Sequence, residues 1–155
     1  MNGLAKLLTG SALALSVSVA SCAQDSDERS EADTVTGVLE AYSNALLNED
    51  VAQAEIWVLP EGTDFTIFEG SGSNIGWADY RDHHLAPEFA AEGFDINVYD
   101  WSEYSVQMSR NMAVATFSSR MEYVVRDERR ERDGHGTAVL IRTENGWRIS
   151  HLHTS

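Results

Sequence analysis

Two chemically reactive side chains are almost missing from this chain of 155 residues, which has one cysteine, Cys22, and one lysine, Lys6. A single cysteine cannot form an intrachain disulfide, so no disulfide framework is available to the fold. No lysine or cysteine follows Cys22, so the rest of the chain offers neither a Schiff-base amine nor a thiol nucleophile. These two kinds of covalent catalysis are therefore excluded for a domain that begins after Cys22.

Positive charge is also scarce, because 11 basic residues stand against 25 acidic ones and the formal net charge is -14. Nucleic acid and anionic lipid surfaces repel such a chain and are poor partners for it. No G-x-S-x-G segment is present, and the glycines from Gly70 to Gly76 are spaced one residue too widely for G-x-G-x-x-G. Serine hydrolase and dinucleotide-binding functions therefore have no motif to support them.

A hydrophobic run long enough to span a membrane is absent as well. The apolar segment near the N-terminus, Leu7 to Val19, has 13 residues, whereas a transmembrane helix needs about 20. It follows the basic Lys6 and precedes small residues, which is the pattern of a cleaved signal peptide. The signal ends in Val19-Ala20-Ser21-Cys22, which resembles the lipobox of bacterial lipoproteins, where the cysteine is lipidated after cleavage. An ordinary secretory signal is the alternative.

The lipobox resemblance divides the chain into a signal peptide (1–21), a lipidated Cys22 with an acidic tether (22–33) and a folded domain (34–155). The tether is polar and lacks apolar periodicity, so we expect it to be disordered. More than one acyl chain on Cys22 would anchor the protein stably to a membrane. Residue 23 is Ala rather than Asp. We therefore expect a cell-envelope lipoprotein that faces the periplasm, on the outer membrane if the cell has two membranes.

Three helices are predicted in the first half of the domain. Apolar residues recur at helical spacing from Val35 to Leu46. Asp50 and Gln53 resemble a capping box that opens a second helix, from Val51 to about Val58. A third helical stretch runs from 77 to 91 and contains Pro87, which should kink or split it.

The remaining segments predict strands joined by short connections. Strand-like composition is found at 63–69, 94–108, 112–125, 135–143 and 147–154. Residues 70–76 and the charge run 126–133 (RDERRERD) are predicted to be loops, the latter solvated. Short connections between the last four of these strands imply an antiparallel meander, and long strands must curve. The fold class is therefore α+β, a curved antiparallel sheet with helices packed on one face.

The closing segment from Gly146 to Ser155 (GWRISHLHTS), together with this order of elements, resembles the nuclear transport factor 2-like superfamily and in particular its SnoaL-like branch. The resemblance covers residues 33–155. It implies a cone-shaped domain with a pocket between helices and sheet, which often dimerises through the sheet. The superfamily contains cyclases, isomerases and dehydratases as well as binders without catalytic activity, so the fold alone does not choose a function.

Histidines on the last strand are the first candidate site. Side chains two residues apart share a strand face, so Trp147, Ile149, His151 and His153 are predicted to point the same way. On the third helix, His84 and Glu88 are four residues apart and share a helical face. If that helix covers the sheet as in the superfamily, these histidines and Glu88 could together bind zinc or, less readily, copper.

Two other interpretations of these residues remain open. His151 and His153 could be a hydrogen-bonded pocket histidine and an exposed one near the chain end. Alternatively, His84 or His151 could act as a general base near neutral pH. Aromatic residues that could line a ligand pocket are Tyr42, Trp57, Tyr80 and Trp147.

No complete catalytic set of the superfamily can be matched onto the sequence, which favours a binder over an enzyme. The sequence thus predicts a membrane-anchored, extracytoplasmic pocket protein that binds a small ligand or a metal without catalysis, as a homodimer. The alternatives are a small-molecule isomerase, cyclase or hydrolase with a pocket histidine as its base, and a structural dimeric module of the envelope.

Overall fold

The structure, a computed structural model, describes residues 20–155. The predicted signal peptide falls almost entirely outside the described residues, and so does the side chain of Cys22. No helix within residues 20–155 is both long and apolar enough to cross a membrane.

Helix α1 (Ala20–Leu47) lies across the sheet and contributes the apolar stripe that the sequence predicts. Val35, Leu39 and Tyr42 are each fully buried. The helix begins well before Val35, so residues 23–33, which we expected to be a disordered tether, are helical in this structure. A short turn leads to α2 (Val51–Ile56), and the Asp50 side chain accepts a hydrogen bond from the Gln53 backbone N–H at 3.0 Å. This capping interaction is the one predicted from sequence.

The first half of α1 is attached to the sheet through Glu31. One oxygen of its carboxylate accepts a hydrogen bond from Trp147 Nε1 at 2.9 Å, and the other accepts one from the Arg142 guanidinium at 3.0 Å. The Arg142 guanidinium lies 5.7 Å from the centre of the Trp147 ring. We refer to these three side chains as the Glu31 clasp.

The third helical stretch is divided into three parts, as Pro87 led us to expect. Helix α3 (Trp77–Tyr80) continues into a π-helical turn (Arg81–Leu85), which continues into α4 (Ala86–Phe89). The Ala86 backbone N–H donates to the Arg81 carbonyl, one residue beyond an α-helical bond. Proline has no N–H to donate, and a widened turn just before it accommodates that loss. The π-helical turn also sets the direction of His84.

Six strands form one sheet in the described part of the chain: β1 (Thr66–Glu69), β2 (Gly72–Ile75), β3 (Asp95–Met108), β4 (Met112–Val125), β5 (Glu128–Thr143) and β6 (Gly146–Thr154). Their order across the sheet is β2-β1-β6-β5-β4-β3. The sheet is open, and with its helices it confirms the α+β fold class.

The predicted antiparallel meander is confirmed for β3 to β6, but the sheet as a whole is mixed rather than antiparallel. β1 pairs in parallel with β6, and Thr66 lies opposite His151. The antiparallel hairpins β3–β4, β4–β5 and β5–β6 leave one edge of β6 free, and β1 occupies that edge. Two strands about 85 residues apart give no local sequence signal of their pairing.

Two predicted loops are also partly strand. Within residues 70–76, β2 pairs with β1 as a short hairpin. Within the charge run 126–133, only Arg126 and Asp127 form a turn, and both have positive φ (52° and 65°). That geometry fits a two-residue hairpin whose twist matches its strands. The rest of the run extends β5, because its charges find partners across the ladder: Arg129 pairs with Glu122 on β4.

Helix α1 and the face of the sheet that it covers, the inner face, enclose the core. Buried side chains from the inner strands include Ala138, Leu140, Ile149 and Leu152, each fully inaccessible to solvent. The Phe117 ring stacks on Trp101 with centroids 4.3 Å apart. Phe117 lies against Gly136, where an added Cβ would come within 2.2 Å of the ring. The other face of the sheet is called the outer face, and no helix within residues 20–155 is packed on it.

Candidate functional site

A cavity of about 560 Å³ opens between the α3–α4 segment and the inner face of the sheet. Its apolar wall is mostly aromatic and is formed by Tyr80, Phe89, Tyr99, Trp101 and Tyr123, with Leu46, Leu85, Ile96 and Met121. Its polar residues are Glu69, His84, Glu88, Ser119, Arg120, Glu131, Arg132, Asp133, Thr154 and Ser155. Ligand sites in proteins commonly have volumes of about 300–1,000 Å³ and this mixture of apolar walls and a few polar groups.

Three ionisable side chains meet at one end of the cavity. His84 Nε2 lies 3.3 Å from Glu69 Oε2 and 3.5 Å from Glu88 Oε2, so one imidazole nitrogen faces two carboxylates. Glu69 is the last residue of β1, His84 lies in the π-helical turn, and Glu88 lies in α4. The Tyr80 ring packs on the His84 ring with centroids 4.9 Å apart. We call Glu69, His84 and Glu88 the acid–imidazole cluster.

The cluster holds its carboxyl groups in an environment that disfavours charge. Burial raises the pKa of Glu69, and the adjacent His84 ring and Tyr80 hydroxyl oppose that rise only in part. Burial likewise raises the pKa of Glu88 against the opposing effects of His84 and Arg132. Carboxyl groups of this kind keep their protons to a higher pH than ordinary glutamates. They are therefore suited to exchange a proton or to receive a positive charge.

Three tyrosines surround the same end of the cavity. Burial raises the pKa of Tyr42, Tyr80 and Tyr99 well above the ordinary value, and the nearby Glu69 raises it further for each. All three hydroxyls therefore stay protonated near neutral pH. Tyr80 and Tyr99 line the cavity, whereas Tyr42 is fully buried behind its wall.

The structure contradicts the predicted orientation of the histidines on β6. His151 pairs with Val139 and Ile149 pairs with Leu140, which leaves Ser150 as an extra, bulged residue. The bulge shifts the alternation by one, so the inner-face residue after Ile149 is the buried Leu152. His151 and His153 therefore lie on the outer face, opposite the cavity.

Because of this bulge, the predicted metal set is not assembled. His84 and Glu88 are together in the cavity, whereas His151 and His153 lie on the other side of the sheet. His151 Nδ1 forms a hydrogen bond with Thr66 Oγ1 at 2.7 Å, and His153 is exposed. No group of three or more His, Cys, Asp or Glu side chains within residues 20–155 is arranged to hold a metal ion.

The aromatic residues predicted for the pocket have different locations. Tyr80 lines the cavity. Tyr42 lies behind its wall, with its ring 5.7 Å from that of Trp101. Trp147 is buried in the Glu31 clasp, and Trp57 lies at the edge of the core, 6.0 Å from the Arg148 guanidinium. Neither of these tryptophans lines the cavity.

Glu69 is the site residue that the sequence interpretation missed. It follows Phe65 and Ile67 at strand spacing, and both of those side chains are buried on the inner face. The alternation of this strand therefore places a carboxylate in line with two core residues. That pattern, an acidic residue at an apolar position of a strand, was the available signal.

Comparisons with known proteins agree with the fold. A family model described as a SnoaL-like domain matches residues 35–155. An NTF2-like superfamily protein from Salmonella enterica serovar Typhimurium has a similar structure, with a TM-score of 0.72, 18% identity, and coverage of 83% of this chain and 92% of that one. No curated protein matches the chain.

Two further similar structures carry names that refer to enzymes. A candidate ketosteroid isomerase from Shewanella frigidimarina has a TM-score of 0.62 and 20% identity, with coverage of 77% of this chain and 92% of that one. A candidate dehydratase of the NTF2-like family from Streptomyces avermitilis has a TM-score of 0.68 and 14% identity, with coverage of 82% and 96%. At these identities the similarity establishes the fold alone.

Proposed function

We propose, since the chain belongs to the SnoaL-like domain family, that its cavity binds one small organic molecule without converting it. The observation that carries this proposal is the asymmetry of the lining. Aromatic rings form one wall, and the acid–imidazole cluster forms the polar end. Such a site accepts a ligand with a flat apolar body and orients it by a single polar group.

A neutral, environment-sensitive dye tests the binding proposal. Nile red should bind one per chain with increased fluorescence, because the cavity offers it an apolar wall. The cavity-filling variant Met121→Trp should lower that signal at least fivefold. Phe68→Ala is the matched control, since Phe68 is 40% exposed on the outer face. If Phe68→Ala removes the signal and Met121→Trp does not, the dye binds elsewhere and the cavity proposal is wrong.

Acid–base catalysis is the second candidate function, and the raised pKa of Glu69 beside His84 favours it. A carboxyl group whose pKa is raised by burial can accept a proton from one carbon of a ketone and return it to another. The test is the isomerisation of a β,γ-unsaturated ketone, followed by the absorbance of the conjugated product. Glu69→Gln should abolish a rate that the parent protein shows. A parent rate equal to that of buffer would leave binding as the function.

We further propose that the protein is anchored to the envelope membrane through a lipidated Cys22 and faces the periplasm. The support is the apolar segment that ends in Val19-Ala20-Ser21-Cys22. Cys22→Ala should move the protein from the membrane fraction to the soluble fraction, whereas Ser26→Ala should leave it with the membranes. Retention of the Cys22→Ala variant in the membrane fraction would refute the lipid anchor.

Homodimer formation through the outer face is proposed from the exposed apolar side chains on that face. Met112 and Phe68 are 45% and 40% exposed there, and Ile75 is 51% exposed on the neighbouring strand β2. Exposed apolar side chains on one face of a sheet are a common feature of interfaces. Light scattering should give the mass of a dimer for the parent protein and of a monomer for Met112→Glu. A monomeric parent protein at high concentration would exclude the dimer.

A further inference from the structure

We propose that the ligand of this cavity is an amine, with an ammonium group seated between Glu69 and Glu88 and an aromatic or other flat apolar body against the ring-lined wall. This inference rests on the proposed binding function and adds the chemical class of the ligand. It is carried by the arrangement of the acid–imidazole cluster and by the aromatic rings beside it.

The cluster has more negative charge than its own imidazole can balance. Two carboxylates face the single nitrogen Nε2 of His84 at 3.3 and 3.5 Å. One N–H satisfies one of these acceptors well, and even a protonated ring supplies one positive charge against two negative ones. The acid–imidazole cluster therefore lacks a second, positively charged hydrogen-bond donor. An ammonium group has three N–H donors and a full charge, so it can bond both carboxylates at once.

The arginines of the cavity do not fill this role. Arg120 is engaged by Glu122, by Asp133 at 3.3 Å and by Glu131 at 3.7 Å. Arg132 is exposed, with its guanidinium 5.7 Å from the centre of the Tyr123 ring. Its charge opposes the raised pKa of both Glu69 and Glu88, but it forms no ion pair with either carboxylate in the described structure. The carboxylates therefore remain available to a ligand cation.

The aromatic rings beside the cluster can stabilise a desolvated cation. Tyr80, Tyr99, Trp101 and Phe89 all line the cavity, and Tyr99 lies against Trp101 with centroids 5.7 Å apart. Aromatic faces attract ammonium groups, and the attraction is stronger where water is excluded. The same rings repel a carboxylate ligand. An anionic ligand would have to sit at the mouth, near Arg132.

Three indoles of similar size and different charge test the amine class: tryptamine, 3-ethylindole and indole-3-propionate. Isothermal titration of the purified protein at pH 7 should give tryptamine an affinity at least tenfold higher than that of 3-ethylindole, with no measurable binding of indole-3-propionate. Glu69→Gln and Glu88→Gln should each lower tryptamine affinity at least tenfold and leave 3-ethylindole unchanged. Glu128→Gln removes the same charge at an exposed position outside the cavity and should change neither affinity.

The outcomes separate the two proposals. Nile red binding without a preference for tryptamine, or with a preference for indole-3-propionate, overturns the amine class and leaves the binding function standing. Loss of Nile red binding together with all three indoles overturns the binding function itself. Unchanged tryptamine affinity in both glutamine variants shows that the cluster does not hold the ammonium group, and it also overturns the inference.

Discussion

The inner and outer faces of β6 place neighbouring residues in opposite environments. Leu152 is fully buried on the inner face, whereas His151 and His153, one residue away on either side, lie on the outer face. On the inner side the nearby ionisable group is Glu69, which pairs with His84 in the cavity. On the outer side His151 bonds Thr66 and packs edge-on against Phe68 at 5.3 Å. The single bulged residue Ser150 therefore decides which side chains reach the cavity.

Burial shifts the pKa of one ionisable group on each face, in opposite directions. Burial raises the pKa of Glu69 on the inner side and lowers the pKa of His151 on the outer side. In both cases the neutral form is favoured. The inner group lies in a cavity that a ligand can enter, whereas the outer group lies on an open sheet surface. The first arrangement is typical of a site and the second of an interface.

The largest expected effect is a difference in the free energy of unfolding between a substitution on the inner face and one on the outer face. Leu152→Ala should lower the free energy of unfolding by about 2–5 kcal/mol, because it leaves a space in the core. His153→Ala, at the next position, should change it by about 0.5 kcal/mol or less. Urea denaturation of both variants measures the difference. Equal losses in the two variants would contradict the face assignment and the bulge at Ser150.

A smaller effect is expected for Glu69→Gln, with a characteristic pH dependence. Because folding raises the pKa of Glu69 above its ordinary value of 4.5, the native state binds the proton more tightly. Stability is therefore lost as the pH rises from about 4.5 through the native pKa. Glu69→Gln should raise Tm at pH 7, by roughly 2–4 °C if the gain is on the order of 1 kcal/mol.

The Glu69→Gln gain should disappear near pH 4, where the parent carboxyl is protonated in both states. Thermal unfolding of both proteins from pH 4 to pH 8 gives the comparison. The control is Glu128→Gln, at an exposed residue, which should show no such pH-dependent gain. A gain that persists unchanged at pH 4 would show that the carboxylate charge is not its cause.

The smallest expected effect concerns the outer face at mildly acidic pH. Burial and then the neighbouring His153 lower the pKa of His151 below its ordinary value of 6.5. The unfolded state therefore takes up this proton first, and stability is lost as the pH falls below about 6.5 through the native pKa. His151→Asn should reduce that loss by a few tenths of a kcal/mol. Urea denaturation at pH 7.5 and pH 5 measures it, and an undiminished loss would contradict the assignment.

The fold was predictable where the signal was local. The stripe from Val35 to Leu46 gave α1, because apolar periodicity acts over a few residues. The parallel pairing of β1 with β6 and the extension of β5 through its charge run depend on partners far along the chain. Local patterns carry no information about such partners.

The candidate site was only partly predictable for the same reason. The spacing of His84 and Glu88 correctly placed them together, since four residues make one turn of a helix even where Arg81–Leu85 is widened. The prediction for His151 and His153 was wrong because strand alternation was counted across Ser150. A bulge has no reliable signature in a single sequence. Glu69 could have been found from the alternation of β1 alone.

The Glu31 clasp would have a mechanical consequence if the protein is anchored through Cys22, which lies nine residues before Glu31. Its contacts with Trp147 and Arg142 fix the direction in which α1 leaves the sheet. Cys22 and Glu31 belong to the same helix, and at about 1.5 Å per residue they are separated by roughly 13 Å. A lipid on Cys22 would therefore be connected to the domain by a rigid helix rather than by a flexible linker. The orientation of the domain relative to the bilayer would then depend in part on the Glu31 clasp.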